Sequence, residues 1–116
     1  MYEYKGNLDR VVDGDTVDII IDLGFKMTTN QRIRLYGIDT PEIFSAKKGS
    51  DEYNKGMAAK QFVEDRLAAN DGEFTIRTHK YTGKYGRYLG EIYLKDSQIS
   101  LNDELVQNGH AEVNYY

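Results

Sequence analysis

In the stretch IRLYGIDTPE, residues 33–42, an apolar run takes in an arginine and closes on two carboxylates: Arg34, Asp39 and Glu42. Charge inside a strand costs free energy unless it is paired, hydrogen-bonded or holding a metal. A further acid, Asp15, stands in Val12-Asp13-Gly14-Asp15-Thr16, at the turn into another apolar run. Each motif has a plain reading: Asp-Gly is a hairpin signal, and Asp39-Thr40-Pro41 is an Asx-type turn before proline. What tilts the balance is that both aspartates fall at strand ends with an arginine nearby. Hard divalent cations such as calcium take carboxylate, carbonyl and water oxygens. Guanidinium contacts phosphate in a bidentate way that ammonium cannot.

A second constellation is RTHKYTGKYGRY, residues 77–88. It carries Arg77, His79, Lys80, Lys84 and Arg87 without an acid, interleaved with Tyr81, Tyr85 and Tyr88. Basic and aromatic residues in alternation suit a phosphate backbone with stacked bases; a solvated basic hairpin is the plainer alternative. Gly83 and Gly86 suit a tight turn that brings Lys84 and Arg87 near a ligand. With no cysteine and only His79 and His110, the composition argues against a zinc site.

The elements that must position these groups follow from the pattern. Lys5–Val12 and Thr16–Asp22 read as strands around Asp13-Gly14, and a third runs from about Thr28 to Tyr36. Residues 44–53 read as an exposed loop. From Asn54 to Asn70 the period becomes helical, with Ala59, Phe62, Val63 and Leu67 on one face and Asp71-Gly72 as the stop. Glu73–His79 and Tyr88–Leu94 are strand-like. Ser100 with Asp103 opens a short helix as in a capping box, and Gly109 follows its end. The order β-β-β-α-β-β-α predicts an α+β, mainly β fold: a five-stranded barrel of oligonucleotide-binding type with two or more helices.

The chain has 116 residues, 40% hydrophobic and 29% charged, so one folded domain over 1–116 is expected. No apolar run approaches the roughly 20 residues of a membrane helix, and the first residues lack the apolar stretch of a secretory signal. A chain that is intracellular or already processed is the expectation, with no membrane partner. The formal charge of −4 speaks against a nucleic acid partner on average; the basic stretch keeps a local positive field.

The segments VVDGDTVDI, RIRLYGIDTPE, KKG, KYGRYLGEIY and LNDELVQNGHA, in that order and spacing, resemble the staphylococcal nuclease (thermonuclease) family. The resemblance implies the barrel with its helices and a calcium-dependent phosphodiesterase. It cuts DNA and RNA with little sequence preference, prefers single strands, leaves 3′-phosphates and acts as a monomer. It further implies that Asp15, Asp39 and the Thr40 main-chain carbonyl hold one calcium ion, and that Glu42 is the general base or orients the attacking water. Arg34 and Arg87 would hold the scissile phosphate. Lys84 and Tyr85 would contact a terminal phosphate, and Tyr115 would lie beside the base or sugar. Family members are often secreted. A catalytically weak or inactive nucleic-acid-binding module of the same fold is the alternative, and a protein-binding barrel with its acids as turn formers is a third reading. The family's best-known members are basic and carry a final C-terminal helix. Here the tail HAEVNYY is expected to fold back instead, with Tyr115 and Tyr116 over the exposed face.

Overall fold

The computed structural model describes residues 2–82 and 87–115, the side chains of 80–82 excepted. Three long strands come first: β1 (Tyr2–Asp13), β2 (Thr16–Gly24) and β3 (Met27–Leu35). After the short β4 (Ile38–Asp39) come helix α1 (Asp51–Ala68), β5 (Glu73–Thr82), β6 (Tyr88–Tyr93), helix α2 (Leu101–Gln107) and the short β7 (Glu112–Val113). Five strands close into a barrel in the order β1-β2-β3-β6-β5, and β4 and β7 form a separate two-stranded sheet. The expected five-stranded barrel with helices is what forms.

Alternation builds the barrel core. Val17 and Ile19 of β2, Ile33 and Leu35 of β3, Ile76 of β5 and Ile92 of β6 are all fully buried. Side chains two apart on a strand share a face, so each strand gives one face to this cluster. The helices add Val63, Leu67, Leu101 and Leu105 to it. β3 and β6 run parallel, pairing Ile33 with Tyr88, Arg34 with Leu89 and Leu35 with Gly90. That pairing closes the barrel beside Arg34.

The helix of the middle region spans 51–68 rather than 54–70, so residues 51–53 belong to it and not to the preceding loop. The cause is capping. Ser50 Oγ accepts a hydrogen bond from Tyr53 N at 3.2 Å, and Asp51 and Glu52 place negative charge at the positive end of the helix dipole. At the other end Gly72 N bonds Leu67 O at 2.8 Å, with Asp71 and Gly72 at positive φ. The second helix starts as expected, with Ser100 Oγ accepting from Asp103 N at 3.0 Å. Arg66 ties the two helices together, its Nε 2.6 Å from Glu104 Oε1 and its Nη2 2.6 Å from Asp96 Oδ1.

One helical residue sets where the chain after β4 can run. A Cβ on Gly56 would stand 2.4 Å from Ile43 Cγ2 and 2.7 Å from the Pro41 carbonyl oxygen. The missing side chain lets the 41–43 segment lie against α1. Ile43 is buried there, while Glu42 stays exposed. Alanine is worth about 0.8–1 kcal/mol more than glycine inside an ordinary helix. Here the clash is with backbone, which cannot yield by a rotamer change. Gly56→Ala is expected to lower stability by about 1 kcal/mol or more, seen as a lower urea midpoint; a raised midpoint would show the segment free to move away.

Candidate active site

Arg34 sits near the end of β3 on the face opposite Ile33 and Leu35, and it is buried. A buried guanidinium needs partners on its fixed fork of donors. Its Nη1 lies 3.1 Å from Asp15 Oδ2 and donates to Leu35 O at 3.3 Å. Its Nη2 donates to Asp39 Oδ1. One arginine thus joins two carboxylates that are 24 residues apart in the chain (15 to 39).

Each aspartate is brought to this point by a turn. Asp15 ends the β1–β2 turn, which Asp13 Oδ1 organises by accepting from Asp15 N at 3.0 Å. Leu35 N then bonds Asp15 O at 2.7 Å, fixing the turn to β3. The buried Asp15 carboxylate also accepts from Thr16 Oγ1 at 3.2 Å and from Thr40 N at 3.0 Å. Asp39 is held by the β4–β7 pairing, in which it opposes Glu112. Asn114 fastens the same corner, its N donating to Gly37 O at 2.8 Å and its Nδ2 donating to Asp39 Oδ2.

The C-terminal tail therefore folds back along the β3–β4 corner, as expected for Tyr115; Tyr116 lies outside the described residues. Gly37, at φ +81°, makes room for it, since a Cβ there would stand 2.6 Å from the Tyr115 ring. Tyr115 leans on Tyr36 with ring centroids 5.5 Å apart, and Tyr36 stacks on His79 at 3.8 Å and 15°. From α2, the buried Asn102 donates through Nδ2 to Tyr36 O at 2.9 Å and to Gly90 O at 3.1 Å. That side chain locks the end of β3 to β6.

The structure brings Asp15, Arg34, Asp39 and the Thr40 peptide into direct contact and sets Tyr115 against Gly37 and Tyr36. Arg87 is half-buried at the entry to β6, two residues before the Leu89 that pairs with Arg34. Glu42 follows, exposed on the 41–43 segment whose Ile43 is buried. Lys84 and Tyr85 lie outside the described residues. The basic stretch is less basic than its sequence: Arg77 pairs with Glu3 at 2.8 Å, and His79 Nε2 lies 3.4 Å from Glu91 Oε2. The acids come from β1 and β6, across the sheet.

Three residues of this corner were not among the expected site residues. Asn114 and Asn102 carry no local signal, because their partners lie 75 and 66 residues away. Asp13 was visible only as a turn former. Its carboxyl is pushed up to about 7, first by burial and then by its hydrogen bond to and charge repulsion from Asp15. Burial sets the direction, because a carboxylate removed from water is disfavoured, and the neighbouring Asp15 adds to it.

The donor set suits a hard cation. It is all oxygen, with the Asp15 carboxylate against the Thr40 peptide and the Asp39 carboxylate on the same guanidinium. Two carboxylates against one guanidinium leave net negative charge, and carboxylate oxygens that accept a hydrogen bond retain a lone pair for a cation. Among the described residues no group of three or more His, Cys, Asp or Glu side chains stands in metal-holding arrangement.

A family model described as staphylococcal nuclease homologue matches residues 32–116. The chain is 36% identical over 107 residues to a thermonuclease of Staphylococcus intermedius, covering 92% of this chain and 58% of that protein. It is 34% identical over 113 residues to Endonuclease YhcR of Bacillus subtilis (strain 168), covering 94% of this chain and 9% of that protein. A micrococcal nuclease of Shigella flexneri is 28% identical over 116 residues, with 94% of this chain and 58% of that protein covered. The chain therefore spans less than three-fifths of the length of each of these relatives.

Asp13 generates a pH prediction. A carboxyl whose folded pKa is raised stabilises the fold fully below its unfolded value of 3.8, and that contribution is lost as pH rises through about 7. Relative to Asp13→Asn, the parent chain is expected to lose at least about 1 kcal/mol between pH 4.5 and pH 8, after allowing for solvent screening. Urea midpoints of both proteins at the two pH values check this. Parallel pH profiles would place Asp13 in a solvated, unperturbed setting.

Proposed function

The chain belongs to the staphylococcal nuclease family, and we propose that it is a calcium-dependent phosphodiesterase acting on DNA and RNA, single strands preferred. The observation that supports this reading most is the buried Arg34 held between Asp15 and Asp39 at the edge of a barrel. A fold that needed only stability gains little from such an arrangement, because desolvating the charges offsets much of their attraction. A phosphodiester substrate gives those charges a use.

In this reading Arg34 and Arg87 donate to the non-bridging oxygens of the scissile phosphate and stabilise the charge that develops there. Glu42, exposed on the segment seated against Gly56, accepts a proton from the attacking water or orients it. The water oxygen bonds to phosphorus as the bond to the 5′ oxygen breaks. The leaving oxygen takes a proton, and the phosphate stays on the 3′ side. Asp15, Asp39 and the Thr40 carbonyl are the residues that would hold calcium. When bound, the ion supplies Lewis-acid neutralisation of phosphoryl charge. Tyr115 lies against the base or sugar next to that phosphate in this reading; its packing on Tyr36 at the β3–β4 corner supports it. Lys84 and Tyr85 keep their proposed role at a terminal phosphate. The protein acts as a monomer.

Digestion of single-stranded DNA is the direct test: cleavage with millimolar calcium and none in excess chelator. Full activity in chelator would exclude the mechanism. The calcium effect also has a readout apart from catalysis. The melting temperature should rise with calcium, with about 1.4 kcal/mol of stabilisation at tenfold excess over the dissociation constant. Asp15→Asn and Asp39→Asn should lose that rise; an undiminished rise in both would move the cation elsewhere.

The arginines give a second expectation. Arg34→Lys and Arg87→Lys keep the charge but lose the fork. Each is expected to cut the rate by at least about 100-fold, as removal of one preorganised donor does. A variant that keeps near-parental rate with an unchanged circular dichroism spectrum would take its arginine out of the reaction.

A further inference from the structure

At the end of the barrel where β1 and β5 meet the β2–β3 turn lies a groove of about 600 Å³. The buried Ile21 and Ile33 form its floor. The groove is lined by Tyr2, Tyr4 and Tyr88 with Leu23, Gln31 and His79. Thr29 and Thr78 complete its polar edge, and among the described residues that line it none carries a carboxylate, ammonium or guanidinium. Tyr2 is 71% exposed, and Leu23 and Tyr88 are each 45% exposed. Large apolar rings left in water around one concavity mark a binding surface more often than chance exposure.

The lining decides what class of group fits. A groove without fixed charge is wrong for a phosphate. Flat rings interspersed with hydroxyls and an amide suit a neutral planar group that stacks and hydrogen-bonds at its edge. Tyr2 and Tyr4 present rings 6.5 Å apart at 37°. Gln31 Nε2 donates to Thr29 Oγ1 at 2.9 Å, and Thr78 Oγ1 donates to Tyr2 O at 3.2 Å, which fixes these polar groups at the rim.

Continuity with the catalytic corner identifies the occupant. His79 lines the groove and stacks on Tyr36, and Tyr36 touches Tyr115 beside Asp39. Ring contacts thus lead from the barrel mouth to the tail whose Asn114 donates to Asp39. Arg87 and Tyr88 are neighbours at the start of β6, the first on the approach to Arg34 and the second in the groove. Along β3, Thr29 is five residues from Arg34, about 17 Å at strand rise, and it shares the face of Ile33 while Arg34 is on the opposite one, so a ligand reaching both crosses the barrel rim. That distance is a separation of a few nucleotides. We propose that the barrel mouth is an extended base subsite: it stacks unpaired bases of a single-stranded nucleic acid whose scissile phosphate lies at Arg34. This rests on the phosphodiesterase reading for the position of the phosphate. Each stacked base adds affinity without sequence preference, since every base has a flat face.

The test compares the parent chain with Tyr2→Ala/Tyr88→Ala and, separately, with Thr29→Trp, which fills the groove without removing a ring. Substrates are a 12-nucleotide single-stranded DNA and a dinucleotide too short to reach the mouth. Both variants are expected to raise KM for the 12-mer about tenfold, the usual weight of one stacked base. Dinucleotide cleavage and kcat on the 12-mer should stay unchanged. Equal effects on both substrates, or none on the 12-mer, would overturn the proposal. If no chain cleaves either substrate, the phosphodiesterase reading fails by itself. Fluorescence anisotropy of a dye-labelled 12-mer then decides the groove: weaker binding by both variants supports it, and unchanged binding overturns it. Loss of self-association or of vesicle binding in the variants, with 12-mer binding intact, would likewise overturn it.

Discussion

The ion triad Asp15–Arg34–Asp39 is the constraint on which the arrangement of the molecule turns. A guanidinium buried at a barrel edge cannot be left without acceptors, because an unpaired buried charge costs several kcal/mol. Its two carboxylates come from different turns, so both turns must close on the same strand. The β1–β2 turn is tied to β3 by the bond from Leu35 N to Asp15 O, and the Thr40 amide reaches back to Asp15 Oδ2. The β3–β4 corner is in turn held by the tail, through Asn114 and the β4–β7 pairing. The triad can therefore assemble only when the barrel has closed. Burial, with Asp15 alongside, raises the Asp13 carboxyl at the same turn.

The helices serve this corner more than they cover the core. α2 sends Asn102 into the seam between β3 and β6, where its amide satisfies the Tyr36 and Gly90 carbonyls. α1 gives up a side chain at Gly56 so that the 41–43 segment can pass against it. Arg66 couples the two helices across Asp96 and Glu104. Rigid strands thus carry Arg34, Asp39 and the entry to β6, while Glu42 stands on an irregular segment held by its buried neighbour Ile43. The ion-paired Arg34 and Asp39 are on strands, and Glu42 faces solvent.

Local chemistry was legible in the sequence, and long-range pairing was not. Period-2 runs marked the strands, and Ser100 and Gly109 bounded the second helix because caps are written in adjacent residues. The first helix began three residues earlier than its apolar period, since Ser50, Asp51 and Glu52 stabilise a first turn that buries little. Asp15, Arg34 and Asp39 could be read together because strand ends and turns are local signals. Nothing in the sequence around Asn114 or Asn102 announces a partner more than 60 residues away. The parallel seam of β3 with β6 has the same character: it joins segments that share no local pattern. Glu3 and Glu91 temper the basic stretch for the same reason, facing it from other strands.

The central claim is that the triad exists for phosphodiester chemistry and not to hold the fold together. The measurement that tests it most directly is hydrolysis of single-stranded DNA in calcium by the triple variant Asp15→Asn, Arg34→Met, Asp39→Asn, read beside its melting curve. Neutral groups of similar size remove the desolvation cost along with the attraction, so the variant should melt no lower than the parent chain. Its hydrolysis should fall below detection. A folded variant that still cleaves near the parental rate would contradict the account, and so would a variant that no longer folds cooperatively.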